Sequence, residues 1–600
     1  MAPLAAALLA GVACAPRGPD PRRPDLVLIV VDTLRADHLG AYGYDRPTSP
    51  NIDALAGRGL LFEEAWSAAP WTLPSVMSIL TGRYPSRHRV ENDGLKLGAA
   101  IRTLAEVMTA AGYETAAFVA HIYVSRAFGF ARGFGTFKDF GLSRPGYRLE
   151  AGMEPTAGEV TRAALDWLGG IGPAPIFLFV HYFDPHWPYD PPRSYAAMFP
   201  SEYGGPLDAT YDSISKFQDP LVALPEDYRR FLIDRYDGEI RYVDEQIGRL
   251  LDGLIEAGRG ERTWVIVTAD HGEEFKEHGS MGHGRHLYQE SIRVPLVIGR
   301  PLPPPAGSRP GAAGASAAIG AARVTEPAAG VDLFPTVLDL AGVAGRPQGL
   351  QGRSLAGRAA MGGEGTDPGG GPPRPIVSET IRLNAYRKAV RLGPLKLIRF
   401  MDDNREELYD LREDPGERRD LSAGRPGDVR RLLRALFDQV DVLTGGWNLR
   451  WSSDGAPRRF QGQIRTDGIF RAVVPLFRER GRYAIEAGRV LNFTDADQTG
   501  ESGLSFSTAP DEARVSFYLM VDGEPAIDEV FLGGNRAGPR AMPFVLGGVP
   551  EPEAAFARPP HRAGRERGFY IWRNRAAAPG REIVLDEEIR ERLRSLGYVD

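Results

Sequence analysis

Five runs of almost uninterrupted apolar residues punctuate the first half of the chain: LVLIVVD (26–32), TAAFVAH (115–121), PIFLFVHYFD (175–184), TWVIVTADH (263–271) and VPLVIG (294–299). A strand wetted on one face alternates polar with apolar residues. These runs do not alternate, so they suit strands covered on both faces of a mainly parallel sheet. Between them, SPNIDALAGRG (49–59) and the stretch from Tyr228 to Ala257 carry apolar residues at helical spacing. The alternation predicts an α/β sandwich, a mainly parallel central sheet flanked by helices.

Four of the runs end on reactive residues. Asp32, His121, the His181–Asp184–His186 cluster and the Asp270–His271 pair each lie at or just beyond a predicted strand end. Open α/β sheets bind ligands beyond the carboxyl ends of their strands. Nine of the ten histidines precede residue 290, and a metal or phosphoryl site explains their placement.

The segment SAAPWTLPSVMSILTGRYPSRH (67–88) supplies a nucleophile. Pro74 suits a first helical turn and Gly82 a helix end, which puts Thr72 at a helix amino terminus, where free N–H groups favour an anion. A threonine hydroxyl attacks poorly unless a metal or a base activates it. Asp32, Asp270 and His271 offer two carboxylates and an imidazole, a set suited to Mn²⁺ or Zn²⁺; Ca²⁺ is admissible but prefers oxygen shells. With Thr72 these form the expected metal set, and an anionic ester is the expected substrate.

Charge narrows the choice further. The 600 residues hold 72 basic and 78 acidic side chains, net −6, which leaves no broad basic surface for nucleic acid. The sole cysteine is Cys14, so no intrachain disulfide framework is available. Cys14 closes the run MAPLAAALLAGVAC, shorter than the roughly 20 apolar residues a bilayer span needs. Residues 1–24 resemble a secretory signal peptide. Cys14 also stands where a bacterial lipoprotein carries its lipid, so the protein is expected to be exported, either periplasmic or membrane-associated through lipidated Cys14.

Low-complexity stretches at 301–322 and 362–375 read as surface insertions. Residues 331–343 read as a helix, 386–400 as a hairpin and 422–444 as an Arg-rich helix. Short alternating runs over 445–579 indicate a β-rich accessory domain, and 580–600 a closing helix. Trp447, Trp451 and Trp572 are either core or a sugar-stacking surface.

Taken together, IVVDTLRADHLGAYGY (29–44), TLPSVMSILTGRYP (72–85), TADHGEEFKEHG (268–279), LYQESIRVPLVI (287–298) and ELYDLREDPGE (407–417) resemble, in order, the motifs of the sulfatase family of the alkaline phosphatase superfamily. The resemblance spans residues 25–436. It implies the alkaline-phosphatase-like sandwich, a metal-dependent ester hydrolase and Asp32, Asp270 and Thr72 at site positions. Thr72 replaces the usual Cys or Ser, Val76 the signature arginine, and His271 an asparagine. A threonine cannot become formylglycine, so none is expected, and the substitutions lean toward threonine-using phosphate and phosphonate branches.

Within that resemblance His186 is the first candidate for general acid and His283 the second; either could instead hold a second metal with Asp184. His121 is a substrate contact or a core histidine. Asp184 and Arg83 are further substrate-binding candidates, Arg83 alternatively capping its helix. His38, His88, His278 and His561 read as structural or solvated, and Glu273, Glu274 and Glu277 as a solvated charge run. Two other activities remain: an envelope phosphoglycerol- or phosphoethanolamine-type transferase, and a degenerate envelope binding protein.

Overall fold

The computed structural model describes residues 23–573 apart from 143–154, 302–320, 361–372, 384, 402–404, 441–445, 454–455, 477–480, 499–500, 510–512, 533–534, 537–542 and 547–566. Cys14 and its export segment, most of both low-complexity stretches, His561 and the expected closing helix lie outside the described residues.

Eight strands form the central sheet: β1 (Asp25–Val31), β2 (Leu60–Phe62), β3 (Glu114–Val119), β4 (Thr136–Lys138), β5 (Ile176–Tyr182), β6 (Thr263–Ala269), β7 (Leu296–Gly299) and β8 (Ala322–Val324). Their order is β8-β2-β7-β6-β1-β5-β3-β4. The run from β6 to β4 is parallel, and β7 alone opposes its neighbours. Every residue of β1, β5 and β6 is buried, which explains why their sequences do not alternate.

Helices cover both faces: α1 (Pro50–Ala56), α2 (Thr72–Thr81), α3 (Ala157–Gly170), α4 (Glu226–Glu256) and α5 (Leu333–Leu340). The apolar stripe of α4, from Tyr228 through Leu232, Ile240 and Ile247 to Leu254, is fully buried. Among the described residues, no helix is long and apolar enough to cross a membrane.

Register positions the site. Val31 pairs with Tyr182 on one side and Ala269 on the other, and Val119 pairs with His181. Asp32, Asp270, His181 and His121 therefore stand level at one sheet edge.

A four-stranded antiparallel sheet follows, β9 (Ile376–Arg382), β10 (Ala385–Leu392), β11 (Leu395–Phe400) and β12 (Glu406–Asp410), packed with α6 (Pro426–Gln439). The predicted hairpin is β10–β11. Beyond it, two six-stranded sheets enclose a core of Trp447, Trp451, Phe460, Phe517 and Phe569. This is the expected β-rich region. Trp451 donates its indole N–H to buried Asp495, and Trp572 is buried beside Phe531 and Tyr570. None of the three tryptophans forms an exposed stacking platform.

Candidate active site

Asp32, Asp270 and His181 come from three adjacent strand ends, and one ligand atom from each lies within 4.8 Å of the others. All three side chains are completely buried. Both oxygens of Asp32, Oδ2 of Asp270 and both ring nitrogens of His181 lack a hydrogen-bond partner. Burial of unpartnered carboxylates is costly unless a proton or a cation joins them. Burial, with the charges of Asp270 and Glu273, pushes the Asp32 carboxyl well above the usual carboxylate range. Burial also pushes Asp270 up, but His271 and His181 outweigh it and hold that carboxyl low. Two carboxylates and an imidazole converging with empty lone pairs fit a divalent cation.

The turn after β1 is strained. Thr33, a β-branched residue, has φ of 52°, a conformation that costs about 1–3 kcal/mol. Tyr236 of α4 holds it, its hydroxyl donating to the Thr33 carbonyl at 2.6 Å and accepting from Arg35 N–H at 3.0 Å.

Thr72 is the first residue of α2, and Gly82 ends that helix in the left-handed region at φ 64°. Ser75, one turn on, donates to the Asp270 carbonyl at 2.6 Å and ties the helix to β6. His88 locks it from behind: its Nε2 lies 3.0 Å from Ser78 Oγ and 3.2 Å from the Pro74 carbonyl, while Nδ1 accepts from Val90 N–H at 3.1 Å. Thr72 Oγ1 is 3.3 Å from His271 Nε2. His271 Nδ1 lies 2.9 Å from the Gly272 carbonyl, which only accepts, so Nδ1 carries the proton. Nε2 then turns a lone pair toward Thr72 and stands 3.4 Å from Asp32 Oδ1 and 3.6 Å from Asp270 Oδ2.

Three more histidines wall the site. His121 accepts Tyr123 N–H at Nδ1 and directs Nε2 to within 3.7 Å of Asp32 Oδ2. His186 commits Nδ1 to the Trp187 carbonyl. His283 packs 4.5 Å from the His271 ring and 5.0 Å from the His186 ring, with Nδ1 3.1 Å from Glu273 Oε1. Burial and neighbouring histidines hold His121, His186 and His283 well below the ordinary imidazole range. Burial pushes the Glu273 carboxyl up to about 8.

That reverses the reading of the glutamate run as solvated. The loop after β6 folds inward, so Glu273 and Glu274 are buried, backing His283 and His286 respectively, and Glu277 pairs with Arg35. Asp184 Oδ2 accepts the Ala157 N–H at the start of α3 at 2.9 Å. Arg83 lies at the far end of α2 from Thr72 and donates to the Gln348 carbonyl, which takes it out of the cluster. His38, His88 and His278 are buried or half-buried structural residues bonded to Asp237, Ser78 and Glu290. His181 belongs to the cluster although sequence reasoning assigned it no ligand role; the signal was its place in the apolar run beside His186.

The sulfatase family profile matches residues 24–343, more than half of the chain. The uncharacterized sulfatase YidJ of Escherichia coli (strain K12) is 26% identical over 497 residues, 73% of this chain and 92% of its own length. Choline-sulfatase of Rhizobium meliloti (strain 1021) is 26% identical over 499 residues, covering 74% and 90%. Among solved structures, the phosphonate monoester hydrolase of Agrobacterium radiobacter superposes with a TM-score of 0.55 at 22% identity, over 70% of this chain and 96% of that one.

Proposed function

The chain belongs to the sulfatase family of the alkaline phosphatase superfamily, and from that premise we propose that it hydrolyses sulfate, phosphate or phosphonate esters with Thr72 as nucleophile. The ester-hydrolase class follows from the family; the nucleophile and the metal set are the reading the geometry supports best. The observation that carries it is the convergence of unpartnered Asp32, Asp270 and His181 on the Thr72–His271 pair.

Asp32, Asp270 and His181 would hold a divalent cation, with Thr72 and His271 facing it. Mn²⁺ or Zn²⁺ suits that set, and when bound would offset the carboxylates and the charge on the ester's nonbridging oxygens. Thr72 donates its hydroxyl proton toward His271 Nε2, the free lone pair 3.3 Å away, and its oxygen attacks sulfur or phosphorus. The amino terminus of α2 faces the charge that develops.

The leaving oxygen needs a proton. His186 has its one neutral-state proton on Nδ1, committed to a carbonyl. The Glu273–His283 pair keeps a proton near neutral pH because the buried Glu273 carboxyl titrates high. With Glu273 protonated, it donates to His283 Nδ1 and leaves a proton on Nε2. His283 passes that proton to the leaving alcohol as Glu273 releases its own to Nδ1, so the relay balances. Water then hydrolyses the sulfo- or phospho-threonine. No formylglycine enters, since Thr72 itself attacks. The amino-terminal run ending at Cys14 supports action in the cell envelope.

The test is single-turnover trapping with an aryl sulfate, phosphate and phosphonate in turn. Mass increase on the peptide holding Thr72, absent from Thr72→Ala, is expected; a modified group elsewhere would refute the assignment.

A further inference from the structure

The second sheet sends Arg382 toward the nucleophile helix. Along β9, alternate side chains face the site. Ser378 Oγ donates to the Ser67 carbonyl at 2.6 Å and Thr380 Oγ1 to the Gly284 carbonyl at 2.7 Å. The same pleat turns Arg382 inward, its guanidinium carbon 4.3 Å from the Trp71 ring centroid and 5.5 Å from that of Tyr123. Trp71 directly precedes Thr72.

The opposite wall is Gly284, which directly follows His283. Gly284 has φ of 97°, and a Cβ there would stand 3.3 Å from Arg382 Cδ. The guanidinium thus lies between the neighbour of the nucleophile and the neighbour of the proton donor. Its charge is felt by both His283 and the Asp93 carboxyl. A guanidinium stacked on an aromatic face keeps its N–H edge in plane, matched to a carboxylate, sulfate or phosphate.

Direction decides which part of a substrate meets it. The scissile group occupies the Asp32–Asp270–His271 side of Thr72. With His283 as proton donor the leaving oxygen faces it, and because Gly284, the next residue, touches Arg382, the group attached to that oxygen is placed on the Arg382 side.

We propose that Arg382 is a specificity residue that binds a second negative charge, a carboxylate or another sulfate or phosphate, on the leaving group of the substrate. The inference rests on the assignment of Thr72 and His283 made above. It makes the preferred substrate a polyanion, such as an ester carried on an acidic sugar or an acidic aromatic ring.

The test compares 4-nitrophenyl esters with the same esters bearing a ring carboxylate or a second sulfate, in wild type, Arg382→Gln and Arg382→Lys. Wild type is expected to favour the charged esters. Arg382→Gln should lower the charged-over-neutral ratio of kcat/KM about ten- to a hundredfold, mainly through KM, as loss of a charge-assisted pair predicts. Arg382→Lys, a point charge without the fork, should recover part of it. The carboxylate and second-sulfate arms show which anion is read. A ratio within threefold of wild type in Arg382→Gln, equal loss on charged and neutral esters, or wild-type preference for the neutral ester would each overturn the proposal. Thr72→Ala separates the two claims: wild-type turnover of neutral esters in that variant rejects the nucleophile assignment, whatever Arg382 does.

Discussion

Strand β1 carries a buried aspartate at each end of the same apolar run, and the two are opposites. Asp25, at the amino edge, meets Arg259 at 2.9 Å and Arg262 at 2.9 Å and accepts the Ile176 N–H at 2.9 Å. Asp32, just past the carboxyl edge, has no hydrogen-bond partner on either oxygen and faces His271 and His121 at 3.4 and 3.7 Å. Both side chains are fully buried. Roughly 23 Å apart along an extended strand, they share composition and solvent exclusion and differ only in what surrounds them. The amino edge completes its charges internally. The carboxyl edge leaves them incomplete, which is tolerable only where an external ion or substrate completes them.

The largest effect should come from crossing the two ends. Asp32→Asn is expected to lower kcat/KM by about 10³-fold or more, as Thr72→Ala would, while raising the melting temperature of chelator-treated protein, since a buried carboxyl whose ionised form the fold disfavours is gone. Asp25→Asn should do the reverse. It costs about 3–5 kcal/mol by removing the buried carboxylate that two arginines share, with activity per folded molecule retained. Denaturant melts and active-site titration of both variants check this; an Asp32→Asn protein that merely unfolds would erase the distinction.

Next in size is the ion. Mn²⁺ or Zn²⁺ added to chelator-treated wild type should stabilise it by about 2.7 kcal/mol at a hundredfold excess over Kd and restore turnover. Asp32→Asn should show neither response. Equal stabilisation of both proteins in calorimetry would move the ion away from the carboxyl edge.

Glu273→Gln should have a smaller effect, about 10- to 100-fold in kcat with KM less changed, because the amide still orients His283 but cannot relay a proton. The Glu273 carboxyl is raised to about 8, so wild-type activity that depends on its protonated form should fall as pH rises through that value. The variant's alkaline limb should flatten. A pH–rate profile of the two proteins that superimposes would remove Glu273 from the proton path.

The amino edge and the carboxyl edge were not equally readable. The apolar runs disclosed β1, β3, β5, β6 and β7 because strands buried on both faces need no polar alternation. The positions of Thr72, Asp32, Asp270 and His271 were legible because each sits at an element end flagged by local signals. His181 was not, since its role depends on the lateral pairing of Val30 and Val119 with it, and no pattern within β5 reports its neighbours. Glu273 misled for a related reason: a run of charges reads as solvated until a loop folds it inward. The bond from Asp184 to the α3 terminus is just as invisible in the sequence, since its partner Ala157 lies 27 residues upstream. Arg382 lies beyond both low-complexity stretches, so only the docking of β9 brings it to Trp71. Element ends are local information; which ends face each other is not.

His88 supplies the finest version of the comparison, since it is a histidine of the Asp25 kind. It is buried and partnered at both nitrogens, whereas His181 is buried and partnered at neither. Burial, then the charges of Arg83 and Arg89, lowers the His88 pKa from 6.5 to about 3. A depressed imidazole favours the neutral ring in the fold, so its stabilisation is complete above pH 6.5 and is lost as pH falls toward 3. Protonation would also displace the Val90 N–H from Nδ1, a loss that the Pro74 carbonyl, which accepts from Nε2 and favours the charged ring, offsets only in part. Between pH 7.5 and pH 5.5, His88 should account for a loss of about 1 kcal/mol in unfolding free energy. In His88→Asn that increment should vanish from the pH slope, although the variant starts less stable. Urea melts at both pH values measure it, and identical slopes in the two proteins would show that a fully partnered histidine contributes no more to the acid response than the surface does.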